Sequence, residues 1–409
     1  MGNCINMFFK LLKIGGGSMK KRIFLSLLTA VSVTSLLVGC GNGGANSKDA
    51  DGIKIGLNYE LTGGNASYGE SSVNGIMMAF DEINAAGGIN GKQIIPVKID
   101  NKSESAEATS VATRLMTQEG VVLSLGPATS GNFMATIPVA QQNKIPVLSS
   151  SSTADVGVTT DAKGNVYDYA FRLCFKDSFQ GVTMASFAAN NLGAKKAVII
   201  KDTSSDYGKG LAENFKANFE GSGGQIVAEE GYVKGDKDFN AVLTSIRGKD
   251  FDVIFIPGYY DEAGLIIKQA RDLKIDAPIL GADGFDSPVL LELAGEDALN
   301  DVYYSNHYSS LDEDPLVKDF ISKYKEKYNT EPNAFNALGY DLGRWAADAV
   351  KRAGSQDTAA ITEALAETKG FEGVTGTFDM DANHDPVKSI VVVSLKDGVQ
   401  VTSIKVDPK

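Results

Sequence analysis

The chain is 409 residues long, 43% hydrophobic and 22% charged, with a formal net charge of -12. That composition belongs to a folded globular protein, and its acidic balance excludes nucleic-acid binding, which needs clustered Lys and Arg against phosphates. Three cysteines, at positions 4, 40 and 174, exclude a disulfide framework.

The first elements are targeting signals. Met19-Lys20-Lys21-Arg22 has the basic start of a secretory signal, and Gly15-Gly16-Gly17-Ser18 resembles a translated ribosome-binding site. Met19 is therefore read as the true start and residues 1–18 as a mis-called extension. The apolar-to-small run from Ile23 to Val38 makes residues 19–39 a signal peptide. It is shorter than the roughly 20 apolar residues of a membrane span. Leu37-Val38-Gly39-Cys40 resembles a bacterial lipobox, so Cys40 is expected to be acylated and to become the mature N-terminus. Two or three acyl chains hold a protein firmly to a bilayer. Residues 40–52, rich in Gly and Asn, form the tether. The folded part is then expected on the outer face of the cytoplasmic membrane.

About 370 residues follow Cys40, more than one ordinary core accommodates and enough for two lobes. From Ile53 strands and helices alternate. A β-type run Ile53 to Asn58 precedes a helix with apolar residues at Val73, Ile76, Met77, Phe80 and Ile83. Gly87-Gly88 ends it, and Ile94 to Ile99 is the next strand. A helix over 103–119 leads to strand Val121 to Leu125, a helix over 132–142 and strand Ile145 to Leu148. Apolar strands alternating with helices predict a parallel sheet covered on both faces. The pattern restarts near Phe179. A helix over 181–191, strand 197–201, helix 208–219, strand 253–256, helix 262–273 and strand 279–280 follow. Beyond a crossover near residue 304 come a helix over 336–353 and strands 390–395 and 399–404. The expected architecture is α/β, with two doubly wound parallel-sheet lobes and a cleft between them. Residues 53–173 with 304–386 form the first lobe and 174–303 with 387–409 the second.

Catalytic chemistry has little to stand on. His307 and His384 occur in no ligand or triad spacing and read as surface or loop histidines. Cys174 lacks the Cys/His partners of a zinc site, and nucleophile-elbow, Walker and HExxH motifs are missing. Asp379-Met380-Asp381-Ala382-Asn383-His384-Asp385 alternates carboxylates like a calcium loop. It lacks the sixth-position glycine and the distal glutamate, so it reads as a solvated turn. No enzyme activity, metal or cofactor is expected.

Binding chemistry gathers instead at the carboxyl ends of strands, where ligands sit in open α/β sheets. The first lobe offers Gly63 to Gly69, Gly126 to Gly131 and the hydroxyl run Ser149 to Thr153. Hydroxyls and N–H groups near helix starts suit a carboxylate, and no Lys or Arg lies in the latter two loops to favour a polyphosphate. Alternatively, Ser130 and Thr153 cap helices. The second lobe offers Asp202 to Gly208, Pro257 to Glu262 and Gly281 to Gly284. Tyr207 and Tyr259 are placed to close over a small ligand, whereas Tyr260 reads as ordinary loop packing.

Several segments together resemble the leucine/isoleucine/valine-binding family of periplasmic-type solute-binding proteins, across residues 53 to 405. They are Ala85 to Lys92, Gly126 to Gly131, Phe171-Arg172 with Asp177 to Gly181, Asp206-Tyr207-Gly208, Gly258 to Asp261, Gly281 to Gly284 and Gly339-Tyr340-Asp341. The resemblance implies two lobes joined by a three-crossing hinge that closes on an amino acid. It implies that Ser130 and Thr153 receive the ligand carboxylate, with Thr129 and backbone groups at Ala128, Ser151 and Ser152 around it. Tyr68, Tyr207 and Tyr259 would enclose the ligand, Asp283 would take its ammonium, and Phe335 would line the side-chain pocket. Ser151 and Ser152 stand where the family often has small apolar residues, which admits a more polar amino acid. The implied role is a monomeric, lipid-anchored receptor delivering a branched-chain or similar amino acid to an ABC permease and ATPase complex. The alternatives are a receptor for another small carboxylate or amide, and an amino-acid sensor for a signalling partner.

Overall fold

A computed structural model describes residues 52–408; the signal segment, Cys40 and most of the tether lie outside the described residues. The first sheet consists of β1 (Ile53–Tyr59), β2 (Ile94–Asp100), β3 (Leu123–Leu125), β4 (Val147–Ser149) and β5 (Ala170–Arg172). All five are parallel, in the order β2-β1-β3-β4-β5. Helices α1 (Ala66–Ala85), α2 (Ser105–Arg114) and α3 (Ser130–Asn143) connect them, with a further helical turn, Leu115–Glu119, ending the segment after α2.

The chain then passes to a second sheet. There α4 (Asp177–Asn190), β6 (Lys196–Asp202), α5 (Asp206–Gly221), β7 (Gln225–Tyr232), α6 (Asn240–Arg247), β8 (Val253–Phe255), α7 (Tyr260–Asp272), β9 (Ile279–Gly281), α8 (Pro288–Ala294) and β10 (Val302–Asn306) follow. Helices α9 (Pro315–Tyr328), α10 (Ala334–Ala353) and α11 (Thr358–Ala366) and the small hairpin β11 (Phe371–Gly373) and β12 (Gly376–Phe378) come next. Strands β13 (Ile390–Lys396) and β14 (Val399–Val406) complete the second sheet, ordered β14-β13-β10-β9-β8-β6-β7.

Burial explains the strand composition. Ile55 and Leu57 of β1 and Ala197 to Ile200 of β6 are almost fully buried, because helices cover both faces of each sheet. Helices α1 and α10 touch backbone to backbone. A Cβ on Gly75 would lie 2.0 Å from the Asn336 carbonyl oxygen, and one on Gly339 would lie 2.1 Å from that of Ser72. Only glycine permits that approach.

Two sequence expectations need correction. Strand β10 runs through the crossover expected near residue 304, so the chain leaves the second sheet only after Asn306. The second sheet is also not wholly parallel: β13 pairs antiparallel with both β10 and β14. Asp397 and Gly398, at φ 50° and 72°, form a two-residue turn between β13 and β14, and an Asp-Gly pair suits that left-handed geometry. Three passages therefore connect the sheets: Leu173 to Lys176, the segment after Asn306, and the segment leading into Ile390.

Candidate functional site

The carboxyl ends of the two sheets face each other, and their loops meet. Gly126, at φ 81°, starts the loop after β3. A Cβ there would lie 2.3 Å from the Asn58 carbonyl oxygen, so glycine is what lets this loop fold over β1. The loop delivers Ala128, Thr129 and Ser130 to the start of α3. The loop after β4 supplies the hydroxyl run. Ser151 Oγ donates to the Ala128 carbonyl at 2.9 Å and Ser152 Oγ to the same oxygen at 3.3 Å. The Ala154 N–H donates to Ser130 Oγ at 3.2 Å, which ties the two loops together beside Thr153.

A residue that sequence reasoning missed occupies part of this cradle. Glu60, fully buried at the end of β1, accepts from the N–H groups of Ala128 and Thr129 at 3.0 and 3.2 Å. It also accepts from Thr129 Oγ1 at 2.8 Å and Asn132 Nδ2 at 2.9 Å. The Ala128 and Thr129 N–H groups are thus taken by an internal carboxylate. Four donors around one carboxylate supply the hydrogen bonds its burial requires. Thr129 is the N-cap position of α3, and Ser130 lies inside the helix instead of capping it. Thr153 caps nothing, since the next helix starts at Asp177. Its buried Oγ1 makes no well-formed hydrogen bond among the described residues, although it lies near enough to the Asp177 carboxyl to pull its pKa down.

The opposing wall is aromatic and acidic. Tyr207, in the first turn of α5, stacks on Tyr259 at 4.9 Å and 3°. Tyr68, from α1 on the first sheet's side, donates its hydroxyl to the Gly284 carbonyl at 2.5 Å and accepts from the Tyr260 N–H at 3.2 Å. Its ring lies 4.3 Å from Phe335 and 5.6 Å from Tyr259. Tyr260 is not loop packing: it is the first residue of α7, buried, and its hydroxyl accepts from the Ser67 N–H across the cleft.

Asp283 is buried and fully engaged. Oδ1 accepts from the Tyr207 hydroxyl at 2.7 Å and from Gln180 Nε2 at 3.1 Å, while Oδ2 lies 3.1 Å from His307 Nε2. Gln180 Oε1 in turn accepts from the Asp283 N–H and from Ser305 Oγ. Asp177 lies on the other side of Gln180, whose Nε2 reaches its Oδ1 at 3.2 Å. Burial, and then the charge of Asp283, push the Asp177 carboxyl well above the usual carboxylate range. Burial and the same charge push the Tyr207 hydroxyl up.

Nine of the residues expected from sequence line one cavity: Tyr68, Ala128, Thr129, Ser130, Ser151, Tyr207, Tyr259, Asp283 and Phe335. Ser152 and Thr153 stand behind that lining. The cavity is nearly closed, with a volume of only about 10 Å³, because the two walls are drawn against each other.

The loop reading holds for His384, half-buried in its turn, whereas His307 is not at the surface and the turn over 379–385 is solvated only in part. His307 is buried and stacks on Phe175 at 3.6 Å. His384 stacks on Phe171 at 4.0 Å, with Nδ1 3.0 Å from the Ala170 carbonyl. Asp385, at the end of the supposed solvated turn, is buried against Arg172, 2.6 Å away. No cluster of metal-ligating side chains occurs among the described residues. Nor is any described helix long and apolar enough to cross a membrane.

A sequence model described as periplasmic binding protein matches residues 52–400. The chain belongs to that family. Periplasmic binding proteins of this kind are solute-binding receptors, not enzymes. Among solved structures, the LivJ branched-chain amino acid transporter substrate-binding protein of Streptococcus pneumoniae, in complex with isoleucine, is 43% identical. It superposes with a TM-score of 0.83, covering 88% of this chain and 100% of that one. A solute-binding protein from R. palustris in complex with benzoate is 25% identical with a TM-score of 0.77, over 86% of this chain and 95% of that one. The Leu/Ile/Val-binding protein homolog 3 of Brucella melitensis is 30% identical over 362 residues, 88% of this chain and 94% of its own length. The periplasmic binding protein fold, with two doubly wound lobes, is that of these structures.

Proposed function

We propose that this chain is the extracytoplasmic substrate-binding component of an ABC importer, that it binds a branched-chain or similarly sized α-amino acid, and that Cys40 anchors it to the membrane. The observation that carries this reading is the opposition of two unlike walls across one small cavity. The α3 start, with the Ser130 and Ser151 hydroxyls on the cavity wall, suits a carboxylate. Asp283 on the other wall suits an ammonium, and Tyr68, Tyr207, Tyr259 and Phe335 enclose what lies between. A similar protein in complex with isoleucine, and a relative named for Leu/Ile/Val binding, support the same reading.

Lobe closure is the proposed binding motion, with the three inter-sheet passages as its hinge. Beyond the Tyr68 contact, Ser67 Oγ lies 2.8 Å from Ser287 Oγ, Lys234 Nζ donates to the Ser103 carbonyl at 2.9 Å, and Asn214 Nδ2 donates to Asp155 at 3.1 Å. A ligand that touches both walls favours the closed arrangement by its extra contacts there.

One observation favours a second reading. The cavity is walled by four aromatic rings, and a relative holds benzoate; an aromatic acid would use the carboxylate cradle and leave Asp283 without a ligand partner. A thermal-shift panel of the twenty amino acids, their deaminated analogues and benzoate separates the two. A ligand at about 100 times its Kd adds roughly 2.7 kcal/mol of stability. The expected result is a large shift with isoleucine, leucine or valine and little with the analogues. A shift with benzoate or a deaminated acid alone overturns the amino-acid reading.

Cys40→Ser is expected to move the protein from the membrane to the soluble fraction while leaving the ligand-induced thermal shift unchanged. Cell fractionation checks this; a mutant that stays on membranes rules out lipid attachment at Cys40.

A further inference from the structure

Two of the three passages between the sheets meet at one imidazole. His307 is the first residue after β10 on the second passage, and its side chain is 1% exposed. Phe175, from the first passage, stacks on it at 3.6 Å and 13°. Lys388, from the third passage, acts on it electrostatically. Its Nε2 lies 3.1 Å from Asp283 Oδ2, whereas its buried Nδ1 has no hydrogen-bond partner among the described residues.

That asymmetry assigns the proton. A neutral imidazole has one N–H, and the carboxylate draws it to Nε2, leaving Nδ1 bare. Oδ1 of Asp283 is held by Tyr207 and Gln180, but Oδ2 has His307 alone. The direction in which Asp283 presents its second oxygen therefore depends on this ring.

We propose that His307 is a positioning residue for the ammonium subsite: its Nε2–H aims Asp283 at the ligand, and a second proton, on Nδ1, makes it a competitor of the ligand ammonium for the same carboxylate. The inference rests on the reading that Asp283 receives an α-ammonium. It adds that ammonium recognition is tied to the hinge, because the ring that aims Asp283 lies on the second passage and is packed by Phe175 of the first.

The charged and titratable groups around the pair set the sign. Burial pushes the His307 ring below its ordinary value, Asp283 opposes that through its hydrogen bond and charge, and Lys388 adds to it. Burial brings Lys388 itself down to about 8, against the pull of Asp341 and Cys174. Asp177 and Asp286, on which the charge of Asp283 acts, are raised chiefly by burial, and the Tyr207 hydroxyl and Cys174 thiol are raised as well. The neutral ring is thus the form present at neutral pH. Affinity should be flat there and should fall as acid protonates His307, by up to about tenfold per pH unit for one linked proton.

The test is calorimetry on the mature protein with L-isoleucine from pH 5 to 8, in buffers of differing ionisation enthalpy. Wild type should lose affinity toward acid and release protons on binding. His307→Phe, which keeps the stack on Phe175, should bind more weakly than wild type at neutral pH and show no loss toward acid. His307→Gln, whose amide can donate to Asp283, should recover most of that loss and flatten the acid side. Asp177→Asn should keep the wild-type slope, which separates His307 from the neighbouring carboxyl. A His307→Gln protein with the wild-type pH profile, or a His307→Phe protein that binds like wild type, overturns the inference alone. If 3-methylpentanoate, which is isoleucine without its ammonium, binds as tightly as isoleucine, or if isoleucine does not bind, the amino-acid reading falls and this inference with it.

Discussion

Replacing Asp283 by asparagine is expected to weaken binding of an α-amino acid by about 2 to 5 kcal/mol, or roughly 30-fold to several thousand-fold. The cost arises because a buried ammonium would face a neutral amide in a site that excludes water. The substituted side chain would also present an NH2 group where Tyr207, Gln180 and His307 now offer three protein groups to a carboxylate. A disturbed wall would therefore add to the loss from the missing charge. Calorimetry with isoleucine and with 3-methylpentanoate separates the two. A missing charge penalises only the ligand that carries an ammonium, whereas a disturbed wall penalises both. Equal affinity of mutant and wild type for isoleucine would remove Asp283 from ammonium recognition.

What sequence showed and what it hid follow from how each feature is encoded. Strands β1, β6 and β8 announce themselves because burial on both faces demands unbroken apolar runs. The loops at Gly126 to Gly131 and Ser149 to Thr153 were legible because they follow such strands directly. Strand β7 was missed, since as an edge strand it mixes Glu229 and Glu230 with apolar residues and shows no clean period. The hairpin of β13 and β14 carried a readable signal in Asp397-Gly398, obscured by the expectation of a purely parallel sheet. Glu60 was hidden for a different reason. It looks like an ordinary charged residue leaving a strand, and only the fold shows that a neighbouring strand's loop aims N–H groups at it. His307 was misread because no strand was expected over 302–306, so nothing in the sequence placed the next residue, at that strand's end, beside Asp283. Partners distant in sequence, such as Gln180 and Asp283, leave no local pattern at all.

Breaking the buried pair between Arg172 and Asp385 is expected to cost the largest share of stability of any single substitution considered. Arg172 ends β5, is 0% exposed, and donates from Nε to Asp385 at 2.6 Å. Its Nη1 reaches the carbonyls of Ser152 and Ala154 at 3.1 and 2.8 Å, and its Nη2 reaches Thr159 Oγ1 at 3.2 Å. The guanidinium thus grips the hydroxyl loop on both sides of Thr153 and ties it to the segment that leads into β13. Arg172→Met leaves the buried Asp385 carboxylate with the Thr159 hydroxyl and, as its one remaining cation, the half-exposed Lys176, and should cost about 3 to 5 kcal/mol in urea unfolding. Removing both charges, as in Arg172→Met with Asp385→Leu, should recover part of that loss, because an uncompensated buried charge costs more than a missing pair. The pH dependence has a definite sign. Burial raises the Asp385 carboxyl, but Arg172, Thr159 and Lys176 together hold it below the usual carboxylate range. A group lowered in the folded state stabilises above its unfolded value, about 3.9, and loses that contribution as acid titrates the folded form. Wild type should therefore lose stability more steeply than Asp385→Asn below about pH 4, and the two should run parallel above about pH 5. Ligand affinity should fall in Arg172→Met as well, since the carbonyls that flank Thr153 lose their anchor. An Arg172→Met protein as stable as wild type at pH 7 would show that the hydrophobic packing of Phe171 and Leu173 on either side of Arg172, and not the ion pair, holds this junction.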